Sequence, residues 1–170
     1  MIAALDTDYQ DSRGQCACVL FERWDAESPY KLYRAVLEPV APYEPGAFYR
    51  RELPCIQHAL RLVLEPLDVI VVDGYVWLGE NRGGLGWHLY EALGRRVPVI
   101  GVAKTTFHGA KTLALPLLRG DSHNPLWITA AGMDPETARD CIARMAGPYR
   151  VPTLLKAADA ACREWEDEKI

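Results

Sequence analysis

Asp68-Val69-Ile70-Val71-Val72-Asp73-Gly74 is the stretch that decides the fold predicted for this chain. Four consecutive β-branched residues favour an extended strand. A continuous apolar run of this kind, without alternating polar residues, is typical of a strand buried on both faces of a sheet. The Asp-Gly pair that follows favours a turn and ends the strand. The sheet must therefore be covered on both of its faces.

Three strands joined by short loops are predicted upstream, at residues 2–8, 15–21 and 31–37. Short loops join neighbouring strands in opposite directions, so these three should form an antiparallel meander. A helix over residues 47–64 then leads to the strand at 68–73. Its apolar residues recur at helical spacing and should face the core: Phe48, Ile56, Leu60 and Val63.

Downstream, the sequence predicts a helix over about 84–95 and a second buried strand at 97–102. Residues 105–129 are predicted to form a polar hairpin region. Two helices close the chain, one over about 135–145 with Asp134 as its N-cap, and one over about 152–168. Strands that alternate with helices in this way are typical of a sheet built by crossover connections.

The order βββαβαβ restricts the topology to a few solutions. A meander followed by right-handed crossovers gives an α/β fold with a mixed sheet of five strands in the order 3-2-1-4-5 and helices on both faces. This is the arrangement of the ribonuclease H-like fold. It places the first strand beside the fourth, so Asp6 should lie near Asp73, with Glu52 of the first helix over the same point.

Size, charge and cysteine content limit the classes of protein to consider. The 170 residues fit one domain, 1–170, and a formal charge of −4 excludes a globally basic nucleic-acid binder. No apolar run is long enough to span a membrane, and the N-terminus lacks the pattern of a signal peptide. The odd number of scattered cysteines, five, indicates free thiols in a reducing cytoplasm.

Asp6, Glu52 and Asp73 are the candidate functional side chains. Three carboxylates at one point cannot all ionise without a countercharge, and Mg²⁺ is the hard cation that oxygen ligands favour. Such an ion can activate water and stabilise a leaving oxygen, which points to phosphodiester hydrolysis. Other interpretations remain open: Glu52 could pair with Arg50 or Arg51, Asp6 could satisfy a turn, and Asp73 could simply begin a loop.

Several motifs, in shared order and spacing, resemble those of the endonuclease V family, whose members cleave nucleic acid near deaminated bases. The resemblance covers most of the chain, in a divergent form. The matching segments are Ala4–Tyr9, Pro42–Gly46, Arg51-Glu52, Val71–Gly74, Gly84–His88, Gly101–Thr105, Tyr149–Pro152 and Ala158-Asp159.

The resemblance implies a metal-dependent endonuclease that hydrolyses phosphodiester bonds in DNA or RNA near bases such as inosine. Asp6, Glu52 and Asp73 would hold Mg²⁺, for which Mn²⁺ can substitute, and Lys104 would act with them on the phosphate. Tyr43 lies in a stiff turn between two prolines and would wedge or stack on a base. The residues implied to contact nucleic acid are Tyr43, Pro45, Gly74, Leu85, Gly86 and Lys104.

The sequence departs from the family pattern in three places. A histidine expected after the last strand is missing from residues 130–136, where Asp134 is a candidate replacement as a metal ligand. The aspartate-glycine-histidine-glycine motif reads Asp73-Gly74-Tyr75-Val76, which should reshape the pocket for the base. The chain starts at the first strand, so we expect it to be short at the N-terminus and to lack some nucleic-acid contact surface.

Two other functions are compatible with these residues. The missing histidine would suit a protein that keeps the same fold and binds nucleic acid or a partner, but whose metal chemistry is weakened. The acidic surface would suit a metal phosphohydrolase that acts on a small nucleotide. The sequence leaves open the choice between DNA and RNA, the lesion and the oligomeric state.

Overall fold

The computed structural model describes residues 1–166 and has a mixed seven-stranded sheet with two helices on each face. Nine strands are present: β1 (Ile2–Gln10), β2 (Arg13–Phe21), β3 (Lys31–Leu37), β4 (Val69–Asp73), β5 (Trp77–Gly79), β6 (Arg82–Gly83), β7 (Val99–Ala103), β8 (Leu115–Leu117) and β9 (Leu126–Ala131). The four α-helices are α1 (Tyr49–Leu60), α2 (Leu85–Ala92), α3 (Pro135–Ala143) and α4 (Thr153–Arg163). None of the helices in this part of the chain has the length and apolar character needed to cross a membrane.

The main sheet has the order β3-β2-β1-β4-β7-β9-β8. Its first five strands are the predicted 3-2-1-4-5 arrangement, which confirms the ribonuclease H-like fold class. β1 is antiparallel to β2 and parallel to β4, with Leu5 opposite Val72, and β4 is parallel to β7, with Asp73 opposite Val102. The carboxyl ends of three parallel strands therefore lie side by side at one edge of the sheet.

Two strands extend the sheet beyond the predicted five. β8 lies within the predicted polar hairpin region and β9 begins within it but continues to Ala131; β9 is antiparallel to β7, with Ala103 opposite Trp127. Leu126 and Ile128 are fully buried, so this region contributes to the core as well as to the surface. β5 and β6 form a separate small hairpin in the loop after β4.

Side-chain alternation along β1 and β4 divides the core into two layers. Ile2, Ala4 and Val71 pack with α3 and α4, whereas their neighbours Leu5 and Val72 pack with α1 and α2. The choice of face for each strand residue thus decides which pair of helices it meets.

The helices are shorter than predicted. α1 begins at Tyr49, so Phe48 is its N-cap and remains 38% exposed, while Ile56 is fully buried as expected. α4 ends at Arg163, and the last predicted helical residues, 167 and 168, lie outside the described residues. Both differences concern helix ends, which fray and often finish in a tighter last turn.

Gly101 lets the chain after β4 fold back closely onto β7. A Cβ atom at this position would lie 2.5 Å from the Gly74 carbonyl oxygen and 2.8 Å from both Thr129 Oγ1 and the Val76 nitrogen. Two of these neighbours are backbone atoms, which cannot move without moving the end of β4.

We expect Gly101→Ala to lower the free energy of unfolding by about 1–3 kcal/mol, the usual cost of overpacking. Gly79→Ala is a matched control, because its Cβ would meet no atom closer than 3.4 Å. Urea unfolding of both variants would measure the difference. Equal stabilities for the two variants would contradict the close-approach role of Gly101.

Candidate active site

Asp6 and Asp73 reach the same side of the sheet edge because of strand alternation. Asp6 follows Ile2 and Ala4 on β1, and Asp73 follows Val71 on β4. The parallel register of β1 and β4 sets the two aspartates beside each other at the carboxyl ends of their strands. Both line a small cavity under α4.

Lys104 joins these two aspartates from the third parallel strand. It is the first residue after β7, and its Nζ lies 3.1 Å from Asp73 Oδ2. Burial by itself lowers the pKa of Lys104, but Asp73 and then Asp6 outweigh burial and raise that pKa above its usual range. Lys104 is therefore a cation held at the point where the carboxylates meet.

Asp6 is only 9% exposed, and its carboxyl group accepts a hydrogen bond from the Thr7 backbone N–H at 2.8 Å. Burial and the nearby Asp73 carboxylate raise the pKa of Asp6 to about 7. The group is consequently poised to change its charge with small changes in its surroundings.

Glu52 approaches from the opposite face, on α1. The residue is 6% exposed, and its carboxylate accepts no hydrogen bond from any other residue within 1–166. Burial, followed by the charges of Asp6 and Asp73, raises the pKa of Glu52 well above its usual range. A buried carboxylate without a donor is costly. Glu52 therefore needs a partner that the described part of the chain does not supply.

The two arginines that could have neutralised Glu52 are engaged elsewhere. Arg50 pairs with Glu44 at 3.2 Å, and the Arg51 guanidinium lies over the Tyr9 ring, 3.7 Å from its centroid. Neither forms a salt bridge with Glu52 in the described part of the chain. Arg51 acts on Glu52 only through its charge, which lowers the pKa of Glu52 and is outweighed by burial and the two aspartates.

Asp159 on α4 is a site residue that the sequence prediction missed. One ligand atom each from Asp6, Asp159 and Cys162 lies within 4.8 Å of the others, and the Asp159 charge raises the pKa of Asp6. Arg163 holds the Asp159 carboxylate at 3.0 Å from the next turn of the helix. The Ala158-Asp159 pair was part of the family resemblance, but that resemblance assigned it no role.

Asp134, the candidate replacement for the missing histidine, does not lie with these residues. Its Oδ2 accepts hydrogen bonds from the Thr137 N–H at 3.0 Å and from the Thr137 hydroxyl at 3.2 Å, so it caps α3. Because β9 is antiparallel to β7, its carboxyl end at Ala131 lies beside Val99, at the opposite end of the sheet from Lys104. The direction of β9 thus removes Asp134 from the site.

The remaining residues fit a divalent cation. Asp6, Glu52, Asp73 and Asp159 offer carboxylate oxygens, which are the ligands that hard cations such as Mg²⁺ and Mn²⁺ prefer. A bound positive ion would give the Glu52 carboxylate a partner and relieve the repulsion that Asp6 and Asp73 exert on it. Lys104 pairs with Asp73 and Arg163 with Asp159, so these two ion pairs leave Asp6 and Glu52 without a salt bridge in the described residues.

A cleft with a volume of about 560 Å³ adjoins Asp73 and Lys104. Five aromatic side chains line it, and we call it the aromatic cleft: Tyr43, Phe48, Tyr49, Tyr75 and Phe107. A planar, apolar group such as a nucleic-acid base can stack on such side chains.

Of the six residues predicted to contact nucleic acid, four line the aromatic cleft: Tyr43, Gly74, Leu85 and Lys104. Tyr43 is 64% exposed, as a wedge must be. Pro45 and Gly86 do not line the cleft. Gly86 has a packing role, since a Cβ there would lie 2.5 Å from Val76 Cγ2.

The model of the endonuclease V family matches residues 1–127. A protein from Streptomyces avermitilis named endonuclease V is 34% identical over 76% of this chain. The chain belongs to the endonuclease V family. It spans 64% of the length of that Streptomyces protein.

Solved endonuclease V structures share the fold. The Streptomyces avermitilis structure has a TM-score of 0.77 at 30% identity, over 95% of this chain and 79% of the other. The Ciona intestinalis endonuclease V (D234N) complex, with a 23-mer DNA that contains an inosine followed by a ribo-adenosine, has a TM-score of 0.82 at 18% identity, over 96% and 83%. At that identity, the Ciona structure supports the fold of this endonuclease V family member and no more.

The raised pKa of Asp6 predicts a pH-dependent stability in metal-free protein. The folded state keeps a proton on Asp6 up to about pH 7, whereas the unfolded state has released it above about pH 4. The stability that Asp6 contributes is therefore lost as pH rises between these values, with a limiting slope of about 1.4 kcal/mol per pH unit.

Urea unfolding with chelator, from pH 4.5 to 7.5, would measure this loss. We expect Asp6→Asn to lose less stability than wild type as pH rises, whereas the exposed control Asp121→Asn follows wild type. Parallel curves for all three proteins would contradict the buried, protonated state of Asp6.

Proposed function

We propose that this protein is a metal-dependent endonuclease that hydrolyses phosphodiester bonds in nucleic acid near deaminated bases such as inosine. Mg²⁺ is the proposed cofactor, with Mn²⁺ as a substitute. The single observation that carries the proposal is the environment of Glu52. This buried residue has no hydrogen-bond donor to its carboxylate within residues 1–166, and the charges of Asp6 and Asp73 raise its pKa. A fold that keeps such repulsion needs a cation, and a cation among carboxylates suits phosphodiester chemistry.

Asp6, Glu52 and Asp73 are the proposed metal ligands, and Asp159 is added to them. When bound, a divalent ion in this family of sites supplies Lewis-acid stabilisation and an activated water. Glu52 and the aspartates, which reach the site from the two faces of the sheet, would determine where the divalent ion binds. The burial of Asp6 and Glu52 limits access of bulk water to their carboxylates and strengthens the local field.

Lys104 is the proposed phosphate contact. Its ammonium group is held against Asp73 at 3.1 Å, on the side of the site that opens to the aromatic cleft. A positive charge there would stabilise the negative charge that develops on a scissile phosphate. Its pairing with Asp73 keeps it oriented before substrate arrives.

The aromatic cleft is the proposed binding place for the base. The cleft shares Asp73 and Lys104 with the carboxylate site, so a base held there lies next to the scissile backbone. Tyr43 would stack on or separate neighbouring bases from the exposed turn. A deaminated base is suggested by the Ciona relative, whose structure contains inosine DNA.

We also infer a cytoplasmic location, in line with the five cysteines, which are all free thiols. The alternative of a non-catalytic binding module is not favoured, because such a module has no use for four clustered acids.

The cleavage assay uses inosine-containing single-stranded DNA and RNA with Mg²⁺ or Mn²⁺, and matched oligonucleotides without inosine. We expect cleavage near inosine, loss of detectable cleavage in Asp73→Ala, and a 10²–10³-fold lower rate in Asp159→Ala. Asp134→Ala is the control, since it removes a helix cap and leaves the rate within about twofold. No cleavage of either inosine substrate by wild type with either metal would contradict the proposal.

Metal binding is expected to stabilise the folded protein, because an ion that binds only the native carboxylates shifts folding by mass action. Millimolar Mn²⁺ should raise the melting temperature of wild type by several degrees. The same addition to Asp6→Asn should raise it less, because a ligand is missing. Calorimetry that finds identical shifts in the two proteins would place the bound ion elsewhere.

A further inference from the structure

The backbone that carries Lys104 leaves the sheet just where the ion pair is formed. β4 pairs with β7 only as far as Asp73 opposite Val102, and β9 pairs with β7 only as far as Trp127 opposite Ala103. Residues 104–107 therefore have no strand partner to fix them. Their position comes from side-chain hydrogen bonds and, at Phe107, from a turn in which the Ala110 N–H donates to the Phe107 carbonyl oxygen at 3.0 Å.

The Tyr75 hydroxyl supplies two of the missing hydrogen bonds. It donates to the Thr105 carbonyl oxygen at 2.6 Å and accepts from the Phe107 N–H at 3.1 Å. A single hydroxyl thus satisfies one acceptor and one donor of the segment directly after Lys104. A phenylalanine or a glycine at position 75 could make neither bond.

Tyr75 also connects this segment to the strand end that holds Asp73. It lies two residues after Asp73, and Gly74 between them donates from its backbone N–H to the Val102 carbonyl oxygen at 3.0 Å. The side chain therefore spans from the carboxyl end of β4 to the carboxyl end of β7. These are the two strand ends whose side chains form the Lys104–Asp73 pair.

A second side chain holds Lys104 from the other direction. The Arg150 guanidinium donates to the Lys104 carbonyl oxygen, and also to the Asn124 and Pro125 carbonyl oxygens at 2.9 and 3.0 Å. The main chain on the carboxyl side of Lys104 is thereby restrained by Arg150 and, one residue later, by Tyr75.

We propose that Tyr75 is a positioning residue, whose hydroxyl braces residues 104–107 against the end of β4 and so holds Lys104 in register with Asp73. This inference rests on the proposed function, in which Lys104 contacts the scissile phosphate. Arg150 assists from the opposite side.

The first test measures the position of Lys104 without any catalysis. In the metal-free protein, Lys104 is acylated with an N-hydroxysuccinimide ester, and its rate is followed by peptide mass spectrometry. We expect several-fold faster acylation of Lys104 in Tyr75→Phe than in wild type, because a loosened segment frees the amine from Asp73. Tyr30→Phe, which changes an exposed tyrosine outside the site, should leave the rate unchanged.

The second test measures cleavage of the inosine-containing oligonucleotide at saturating Mn²⁺. We expect Tyr75→Phe to lower kcat about five- to tenfold, or roughly 1–1.4 kcal/mol, with KM within twofold of wild type. A KM increase with unchanged kcat would mean that the Tyr75 hydroxyl serves substrate binding in the aromatic cleft and not the placement of Lys104, and would overturn the inference.

The two tests separate the two proposals. If wild type does not cleave the substrate, the proposed function fails, and the acylation rate alone decides whether Tyr75 braces Lys104. If wild type cleaves but Tyr75→Phe leaves the Lys104 acylation rate unchanged, the brace is refuted while the proposed function stands. Melting temperatures within about 2 °C of wild type would show that neither readout reflects global unfolding.

Discussion

Repulsion among four carboxylates at one edge of the sheet is the constraint on which the rest of the structure depends. Two strands bring Asp6 and Asp73 together from within the sheet, and helices bring Glu52 and Asp159 from its two faces. Burial makes ionisation of Asp6 and Glu52 costly, and the nearby Asp73 charge raises the pKa of both groups further. Lys104 offsets part of this charge, and the remainder defines a place for a cation.

The fold is arranged so that this repulsion cannot be relieved by movement. The acids lie on four different elements, two strands and two helices, and the strands that carry two of them are fixed by ladders on both sides. Gly101 allows the chain after β4 to lie directly on β7, which fixes the turn beyond Asp73. A flexible site would spread its charges apart; this one keeps them in place for a ligand.

Much of this arrangement could be predicted from the sequence because it follows from patterns along single elements. The apolar run before Asp73 marks a buried parallel strand, and the order of strands and helices leaves few right-handed topologies. Strand order alone then sets Asp6 beside Asp73. The carboxylate on the apolar face of α1, Glu52, is conspicuous for the same reason.

The missed features depend on contacts between elements that a linear pattern does not contain. The apolar run Leu126–Ala131 is too short for its sequence pattern to distinguish a strand from a loop. The antiparallel direction of this strand, β9, places Asp134 far from the site, and the sequence does not reveal that direction. Asp159 lies next to the buried stripe of α4, but its role depends on which face of the sheet α4 covers. The brace by Tyr75 requires the path of a loop, which no periodicity encodes.

The most direct test of the account is a crystal structure of the protein grown with Mn²⁺, with anomalous differences collected at the manganese edge. The account predicts an anomalous peak within about 2.5 Å of carboxylate oxygens from at least two of Asp6, Glu52, Asp73 and Asp159. A protein that cleaves nucleic acid under the same conditions, yet shows no peak among these residues or a peak at another site, would contradict it.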